Sequence, residues 1–375
     1  MRATLVKLWP LFFSVVLIQT AVGVQSDLIG VRASLEGFAA WIIGPVLAGY
    51  YVGYSTAPFF GRQVIARYGH GAAIAGASLL AGVSIIALGL LVSPIVWVLL
   101  RFLIGIGLSL GYIGFESWIN DHVENDIRGR VFSTYTLIQL VAMTVSQALF
   151  AAVDSRTVWL FVISGVLIAA GAVPAFVSMA HAHDKPPPEH LHLADLFRAS
   201  PLGALSTIVS GISWAIIVSF GPIYALKTGL NQPETGIFMG AAMVGGLVLQ
   251  LPLGWLSDHV GRRATIALMS AGAVVASLFG LWAEYHGALA QYATMFAIGG
   301  LNFTLYAIAV SATNDAIAPQ NRVAAAAGLV LLFGLGSIAG PLIGGWSFAH
   351  FGAHTYFGLV AASMAVSLAA TAVSR

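Results

Sequence analysis

Gly254-Trp-Leu-Ser-Asp258-His-Val-Gly261-Arg262-Arg263 places an aspartate and two arginines within ten residues. Only 8% of the 375 residues are charged, so this concentration of charge is unusual for the chain. Apolar runs of helix length flank the stretch on both sides. The pattern predicts a short loop between two membrane spans, in which paired charges can act as a hinge or latch.

The composition predicts a polytopic helical membrane protein. Hydrophobic residues make up 59% of the chain and the mean hydropathy is +0.91, whereas soluble domains carry about 25% charged residues. The lipid bilayer is therefore the expected environment. The basic residues form no long run or stripe that could follow a phosphate backbone, which indicates no nucleic-acid partner. The absence of cysteine excludes disulfides and cysteine metal sites.

Twelve apolar windows of about 20 residues, the length that crosses a bilayer, predict twelve transmembrane helices. They lie at 8–26, 41–60, 72–92, 95–118, 131–152, 158–180, 203–226, 236–256, 265–285, 289–312, 325–347 and 354–373. The first window is interpreted as an uncleaved span rather than a signal peptide, because a chain this hydrophobic inserts without one. The proline run at 186–188 cannot be helical, so it predicts a linker.

The distribution of basic residues predicts the orientation. Of the 16 lysines and arginines, 12 fall in one set of alternate loops, 3 in the other set, and Arg101 within a span. Since cytoplasmic loops carry the excess of positive charge, both termini and the linker are predicted to be cytoplasmic. We expect a multi-pass protein of the inner membrane.

The two halves of the sequence repeat one another. Asn120-Asp121 and Arg128 recur as Asn314-Asp315 and Arg322, with a constant offset of 194 residues. Repeated halves joined by a linker are typical of transporters built from two bundles. We predict an N-terminal six-helix bundle at 1–180, a linker at 181–202 and a C-terminal six-helix bundle at 203–375, in a protein that acts as a monomer.

The chain resembles the major facilitator superfamily over essentially its whole length. The opening stretch is similar to the G-x-x-x-D-x-x-G-R-R loop signature of that family. Within that family, the chain resembles an uncharacterised subgroup of bacterial inner-membrane proteins. Members of this subgroup are described only as transporters of the superfamily. The residues that carry this likeness are Gly30-Val-Arg32-Ala-Ser-Leu-Glu36-Gly-Phe38, Arg67-Tyr-Gly69-His70, Glu116-Ser-Trp118, Arg128-Gly-Arg130 and Phe303-Thr-Leu-Tyr306. The resemblance implies twelve helices that work by alternating access, and it implies no particular substrate.

The sequence departs from the family pattern at three places. When Gly69 is aligned with Gly261, Ala66 stands where the loop aspartate is expected. The fourth span has Arg101-x-x-x-Gly105-x-Gly107, but Ile104 replaces the usual glutamine. The fifth span lacks the proline–glycine motif typical of drug–proton antiporters. These departures weaken a drug-antiporter assignment without excluding it.

Two charged residues of the fourth span are candidates for substrate binding or coupling. An arginine inside a span is unfavourable by about 2.5–3.5 kcal/mol on insertion scales, so Arg101 should face a partner or a watery cavity. Tyr112 shares its helix face. Glu116 is the acid well inside the apolar run and is a candidate proton carrier. The alternatives are a packing role for Arg101, and for Glu116 a gate contact with basic loop residues, which we favour.

Further cavity candidates lie in the first, seventh and tenth spans, which line the pathway in the family that the chain resembles. They are hydroxyls, amides and aromatics, which predict an amphipathic cavity. The alternative for each is an interhelical hydrogen bond. The candidates are Gln19, Ser206, Ser210, Ser213, Tyr224, Asn302 and Tyr306.

The loop charges are predicted to form a cytoplasmic gate. Opposite charges on neighbouring loops can pair in one state and separate in another, which biases a two-state equilibrium. The alternative is that they only hold the orientation in the membrane. The second half supplies Asp258, Arg262, Arg263, Asp315 and Arg322, and the first half supplies Arg62, Arg67, Asp121 and Arg128.

Two other polar groups are given lesser roles. Asp27, Arg32 and Glu36 are placed in a periplasmic loop, where Arg32 and Glu36 can pair at i, i+4 spacing. The alternatives are an outer gate and a solvated pair, of which we favour the solvated pair. The linker histidines at 181, 183, 190 and 192 flank prolines that give them no fixed geometry. We therefore expect no metal site and no cofactor.

The sequence predicts a secondary active transporter. No nucleotide-binding motif or catalytic cluster occurs, so a gradient, most simply of protons, must drive the movement of a small organic solute. We lean to export of an amphipathic compound. The alternatives are proton-coupled uptake of a polar or anionic metabolite, and a sensor or scaffold with a transporter fold. An enzyme is disfavoured.

Overall fold

The computed structural model describes residues 8–123, 125–178, 193–318 and 321–373, and these residues form helices joined by short turns without any strand. This is the expected result for an apolar chain, because helices satisfy every backbone hydrogen bond within the segment. Among the described helices, eleven segments are long and apolar enough to cross a membrane. The predicted fold class, an all-helical polytopic membrane protein, is confirmed.

The described residues divide into two compact units. The first comprises the described parts of Met1–Glu36 and Gly49–Pro187, and the second comprises Gly37–Ala48 and the described part of Pro188–Arg375. The predicted bundle boundaries at 180 and 203 stay a prediction, because most of the predicted linker, including its four histidines, lies outside the described residues.

The first half of the chain contains seven of the described helices. They are α1 (Trp9–Leu35), α2 (Ala40–Thr56), α3 (Gly61–Tyr68), α4 (His70–Leu90), α5 (Pro94–His122), α6 (Asn125–Ala152) and α7 (Trp159–Ser178). A 3₁₀ turn, Ala57–Phe59, joins α2 to α3. Helix α1 packs against α6 and α7, and α4 packs against α5 and α7.

The second half contains the remaining described helices. They are α8 (Leu193–Ala199), α9 (Pro201–Lys227), α10 (Gln232–Val260), α11 (Arg262–Ala283), α12 (Ala288–Phe303), α13 (Leu305–Ala316), α14 (Arg322–Phe351) and α15 (Tyr356–Val373). Helix α9 is surrounded, with α14, α15 and α13 as its main neighbours. Most of its residues are accordingly buried.

Apart from shifts of several residues at other helix ends, three predicted spans differ from the observed helices. The first does not end near residue 26 but continues to Leu35, because its polar residues are buried within the unit. The second is a 17-residue helix, α2, at the lower limit for crossing a bilayer. The tenth breaks at Thr304, whose hydroxyl donates to the carbonyl of Gly300. Such back-bonding bends helices.

Glycines let α2 and α5 approach closely enough to build the site. A Cβ atom on Gly53 would collide with the carbonyl oxygen of Phe102, and one on Gly105 would collide with the carbonyl oxygen of Tyr50. Small residues at such a crossing allow backbones to touch. The contact brings Tyr50 on α2 beside Arg101 on α5.

Candidate functional site

Arg101 is buried inside the first unit, with 4% of its surface exposed. Its Nη1 donates a hydrogen bond of 2.9 Å to Oε1 of Gln25 on α1. Its guanidinium carbon lies 4.7 Å from the centre of the Tyr50 ring, a cation–π contact that favours a desolvated cation. The Nε atom has no hydrogen-bond partner among the described residues. Arg101 therefore keeps one donor able to bind an incoming acceptor.

A polar and aromatic strip continues from Arg101 along α5. The Tyr112 hydroxyl donates to Oε1 of Gln19 at 2.5 Å, and the Tyr112 ring lies 6.1 Å from that of Tyr54. Tyr54 lies 5.9 Å from Tyr50, which completes the row. We call Gln19, Gln25, Tyr50, Tyr54, Arg101 and Tyr112 the α5 strip. It combines aromatic faces with amide and guanidinium groups.

Three of the predicted cavity residues, Gln19, Arg101 and Tyr112, meet in the α5 strip. Glu116 follows one turn after Tyr112 on the same helix and has an exposed side chain. Gln25 and Tyr50, which complete the contacts of Arg101, were missed. Their signal was available, because an intramembrane arginine needs partners and both are polar residues in neighbouring apolar windows.

Asp27 does not lie in a loop, so its predicted location is wrong. It sits inside α1 with 1% of its surface exposed. It hydrogen-bonds Gln147 of α6. The first predicted window ended too early, because the short polar run at 25–27 resembled the end of a membrane span. The predicted pair of Arg32 and Glu36 does form, at 2.5 Å.

The serines of the seventh span form interhelical hydrogen bonds. Oγ of Ser213 lies 2.6 Å from that of Ser363 on α15, and Oγ of Ser206 lies 3.4 Å from that of Ser367. Ser367 also accepts from Ser270 on α11 at 3.0 Å. Ser210 is buried on the same helix. For Ser206 and Ser213, these contacts support the packing alternative rather than a role in binding.

Asn302 and Tyr306 flank the break in the tenth span. Asn302 is fully buried, and both polar atoms of its side chain have no hydrogen-bond partner among the described residues. Tyr306 packs its ring 5.0 Å from that of Phe333 on α14. An unpartnered buried amide is unfavourable unless a ligand or water binds it. Asn302 is thus a buried amide of the second unit that has the capacity to bind a further partner.

The charges of the opening stretch come together around Arg262 at the start of α11. Its Nη1 lies 2.5 Å from Oδ1 of Asp258 and donates to Oγ of Ser257 at 2.9 Å. Its Nε donates to Oδ2 of Asp315, at the end of α13, also at 2.9 Å. We call Ser257, Asp258, Arg262 and Asp315 the ionic latch. It joins three helix ends within the second unit.

Arg263 and Arg322 lie beside the ionic latch but bind backbone carbonyls. Arg263 donates from Nε to the carbonyl of Thr371 on α15 at 2.8 Å. Arg322 donates from Nε to the carbonyl of Asn314 at 3.2 Å. Both tie helix ends together within the second unit, and neither contact involves an acid.

The corresponding loop of the first half is different. Arg62 and Arg67 are exposed on α3, and Arg67 lies over the Tyr68 ring at 5.4 Å. His70 is fully buried, with its Nε2 2.8 Å from Oγ of Ser117 on α5. The side chains of Asp121 and Arg128 lie outside the described residues, so their predicted gate role stays a prediction.

Tyr224 belongs to a separate cluster that the sequence did not indicate. Its hydroxyl donates to Oε2 of Glu284 at 3.3 Å, and its ring stacks on Tyr356 at 4.8 Å. Glu284 also contacts Nδ1 of His354. The cluster joins α9, the end of α11 and the turn before α15. Its members are far apart in the sequence, which hides their proximity.

Two helical units, each with buried polar groups inside apolar spans, define a polytopic membrane transporter fold. A family model described as Major Facilitator Superfamily matches residues 8–202 and again residues 203–375. The two matches cover nearly the whole chain. The chain belongs to the Major Facilitator Superfamily, and the family predicted by the loop signature is confirmed.

Curated relatives match over most of their length. The uncharacterised MFS-type transporter YcaD of Escherichia fergusonii is 24% identical over 353 residues, which is 94% of this chain and 91% of the relative. An uncharacterised MFS-type transporter of Enterobacter sp. is 24% identical over 88% of this chain and 86% of its own. The predicted uncharacterised bacterial subgroup is confirmed.

Solved structures share the fold at low identity. The nucleoside transporter NupG aligns with a TM-score of 0.82 and 13% identity, over 98% of both chains. A bacterial homologue of the human lysosomal transporter Spinster, in an inward-facing and unoccupied conformation, aligns with a TM-score of 0.74 and 14% identity. It covers 99% of this chain and 94% of its own. At these identities the likeness shows the fold alone.

Proposed function

We propose that the protein is a proton-coupled secondary transporter of the inner membrane that moves a small organic solute by alternating access. The observation that carries the proposal is the α5 strip, which places a buried arginine with a free donor among tyrosine rings and amides. Buried ionisable groups within spans mark solute or ion pathways. Membership of a transporter family supports the same conclusion.

The composition of the α5 strip favours an amphipathic aromatic solute, moved outward. Rows of tyrosine rings bind flat apolar faces, and amides fix a few polar substituents. The strip holds one cation and no acid, so it carries a single positive charge on an otherwise uncharged surface. This combination suits a compound that partitions into membranes, and export is the direction in which such a compound needs a carrier.

The second candidate function is uptake of a polar or anionic metabolite. The unpartnered Nε of Arg101 favours it, because a guanidinium group binds carboxylate or phosphate oxygens well. In this case Arg101 is the group that binds the anion.

The charge asymmetry of the loops supports cytoplasmic termini, and with that orientation the ionic latch faces the cytoplasm. We infer that the latch, with Arg263 and Arg322 beside it, holds one of the two transport states. Its contacts need only differ between the states to bias the equilibrium. The protein acts as a monomer in this scheme, with protons and one solute as its partners.

The test is a lumen-pH assay in proteoliposomes that enclose a pH-sensitive dye. Two probes are added outside, chloramphenicol as an uncharged amphipathic aromatic compound and benzenesulfonate as a permanently charged aromatic anion. Entry of solute in exchange for protons makes the lumen alkaline, whereas entry together with protons makes it acidic. We expect alkalinisation with chloramphenicol. Acidification with benzenesulfonate would instead favour the uptake function.

Two variants give the test its control. Arg101→Gln should reduce the response by at least tenfold, whereas Arg156→Gln, which makes the same change at an exposed loop position, should keep it. Binding of either probe without uptake of that probe would contradict transport and favour a sensor with a transporter fold.

A further inference from the structure

Asp27 of α1 and Gln147 of α6 form a buried acid–amide pair. Their side chains are 1% and 5% exposed, and a hydrogen bond joins them. Two atoms of the pair, Oδ2 of Asp27 and Oε1 of Gln147, have no hydrogen-bond partner among the described residues. Both are acceptors. The pair therefore contains one donor too few.

A proton on Asp27 supplies the absent donor. A carboxylic acid and a primary amide can form two hydrogen bonds at once, with N–H donating to one carboxyl oxygen and O–H donating to the amide oxygen. A carboxylate gives only the first of these bonds and leaves two buried acceptors unpaired, which is strongly unfavourable. Exchanging the oxygen and nitrogen of Gln147, which are hard to distinguish, still leaves the pair short of one donor.

No described cation neutralises Asp27 instead. Helix α7, which packs on α1, contains no titratable residue, and α6 carries its own (Asp126, Arg128, Arg130 and Tyr135) at least 12 residues before Gln147. That separation is about 18 Å along a helix. On α1 itself, Arg32 pairs with Glu36.

The other neighbouring charges are likewise engaged elsewhere. On α5, Arg101 binds Gln25 and lies against Tyr50. Asp154 lies in the turn after α6 and accepts from the backbone N–H of Arg156. The side chain of Arg156 is exposed. A bound proton is the remaining way to neutralise Asp27.

We propose that Asp27 is the proton-binding site of this transporter, protonated while Gln147 pairs with it and deprotonated when α1 and α6 separate. On separation, the O–H bond at Oδ2 breaks, the proton passes to water, and the carboxylate is solvated. A proton that binds one state more tightly shifts the equilibrium between the two. This inference rests on the proposed function and assigns the coupling to Asp27 rather than to the exposed Glu116.

Infrared spectroscopy of the purified full-length protein in lipid nanodiscs tests the site without a substrate. The wild type should show the C=O stretch of a protonated carboxyl group at neutral pH. Asp27→Asn should lose this band, and because an asparagine can still pair with Gln147 the fold is retained. Gln147→Met should move the band to higher frequency, since the carboxyl loses its amide donor. A band unchanged in Asp27→Asn would overturn the proposal.

The matched control is Glu116→Gln, which removes the other candidate carboxyl group on the described spans of the first unit and should leave the band in place. Loss of the band in this variant, with retention in Asp27→Asn, would assign the proton to Glu116 and overturn the proposal.

Measurements of probe flux then test the coupling role of Asp27 separately from the proposed function. With the probe that changes lumen pH in the wild type, Asp27→Asn should still exchange probe but lose the pH change. An equal pH change in this variant would overturn the coupling role. If neither probe moves in the wild type, the proposed function fails for these solutes, and the infrared band still decides whether Asp27 binds a proton.

Discussion

The loop around Gly69 (the first loop) and the loop around Gly261 (the second loop) lie at corresponding places in the repeat. Their backbones turn in the same way, but their side chains make different contacts. Each turns on a glycine of positive φ, Gly69 at 77° and Gly261 at 98°, a region that side-chain-bearing residues rarely adopt. The next residue begins a long helix in both cases. It is His70 in the first loop and Arg262 in the second.

The difference lies in what these two residues bind. Arg262 pairs with Asp258 and Asp315, whose side chains are 62% and 59% exposed. His70 is fully buried and bonds a serine hydroxyl. Exposed ion pairs are individually weak, so they can break and re-form during a transport cycle. The contact between His70 and Ser117 is shielded from water, so we expect it to persist during the cycle. We infer that the ion pairs of the second loop break and re-form during the transport cycle. The first loop keeps its contact and stabilises the helix ends.

The largest effect is expected when the first loop is given the chemistry of the second. His70→Arg places a longer, charged side chain in a fully buried position where a hydroxyl is the partner. An uncompensated buried charge destabilises by about 3–5 kcal/mol. The free energy of unfolding in detergent should fall by this amount.

His70→Gln is the control for this change, because it keeps a neutral hydrogen-bonding side chain and should be much less harmful. Adding Ser117→Asp to His70→Arg should recover part of the stability by providing a counter-charge. An arginine variant as stable as the wild type would mean that the first loop can hold an ionic contact after all.

Removal of the central cation of the ionic latch should have the next largest effect. Arg262→Gln loses the contacts to Asp258 and Asp315 and leaves Ser257, which is buried, without its donor. We expect probe flux to fall about tenfold and stability to fall by about 1–2 kcal/mol.

Arg62→Gln makes the same substitution at an exposed position of the first loop. Because Arg62 lacks an acid at position 66, its loss should change probe flux by less than about twofold. Similar losses of probe flux in Arg262→Gln and Arg62→Gln would show that both loops take part in the transport cycle. The proposed difference between the two loops would then be wrong.

A smaller effect is expected from the acid that distinguishes the loops. Asp258→Asn removes one of the two carboxylates and leaves Asp315 in place, so flux should fall severalfold rather than tenfold. Ala66→Asp adds an acid at the corresponding exposed position and should be nearly neutral. Initial rates of the lumen-pH response compare the two. Near-normal flux in both variants would remove the latch from the transport cycle.

The sequence was sufficient to predict most of the helices and the ion pairs of the ionic latch. Hydropathy reports long apolar helices directly, and Asp258 and Arg262 are four residues apart, a spacing that brings side chains together on a helix. The 194-residue repeat pointed to Asp315, which does bind Arg262. Contacts that follow from local spacing or from an internal repeat are visible without a structure.

Contacts between distant helices could not be predicted in this way. Asp27 was placed in a loop, because average hydropathy falls at 25–27 whether polar residues face water or a buried neighbour. Its partner Gln147 is 120 residues away, with no repeat to relate them. For the same reason Ser213 was assigned to a cavity, whereas its hydroxyl meets Ser363 on α15.

Salt should have the smallest effect and should act on one loop alone. The Debye length falls from about 8 Å at physiological ionic strength to about 3 Å at 1 M, which screens exposed charge pairs such as those of Arg262. Raising KCl should therefore lower the stability of the wild type by up to about 1 kcal/mol. Arg262→Gln should lose most of this salt dependence. His70→Gln should retain it in full, because the buried contact to Ser117 contains no ion pair. Equal salt dependence in the wild type and Arg262→Gln would place the salt-sensitive charges elsewhere, and the ionic latch would then be as fixed as the contact in the first loop.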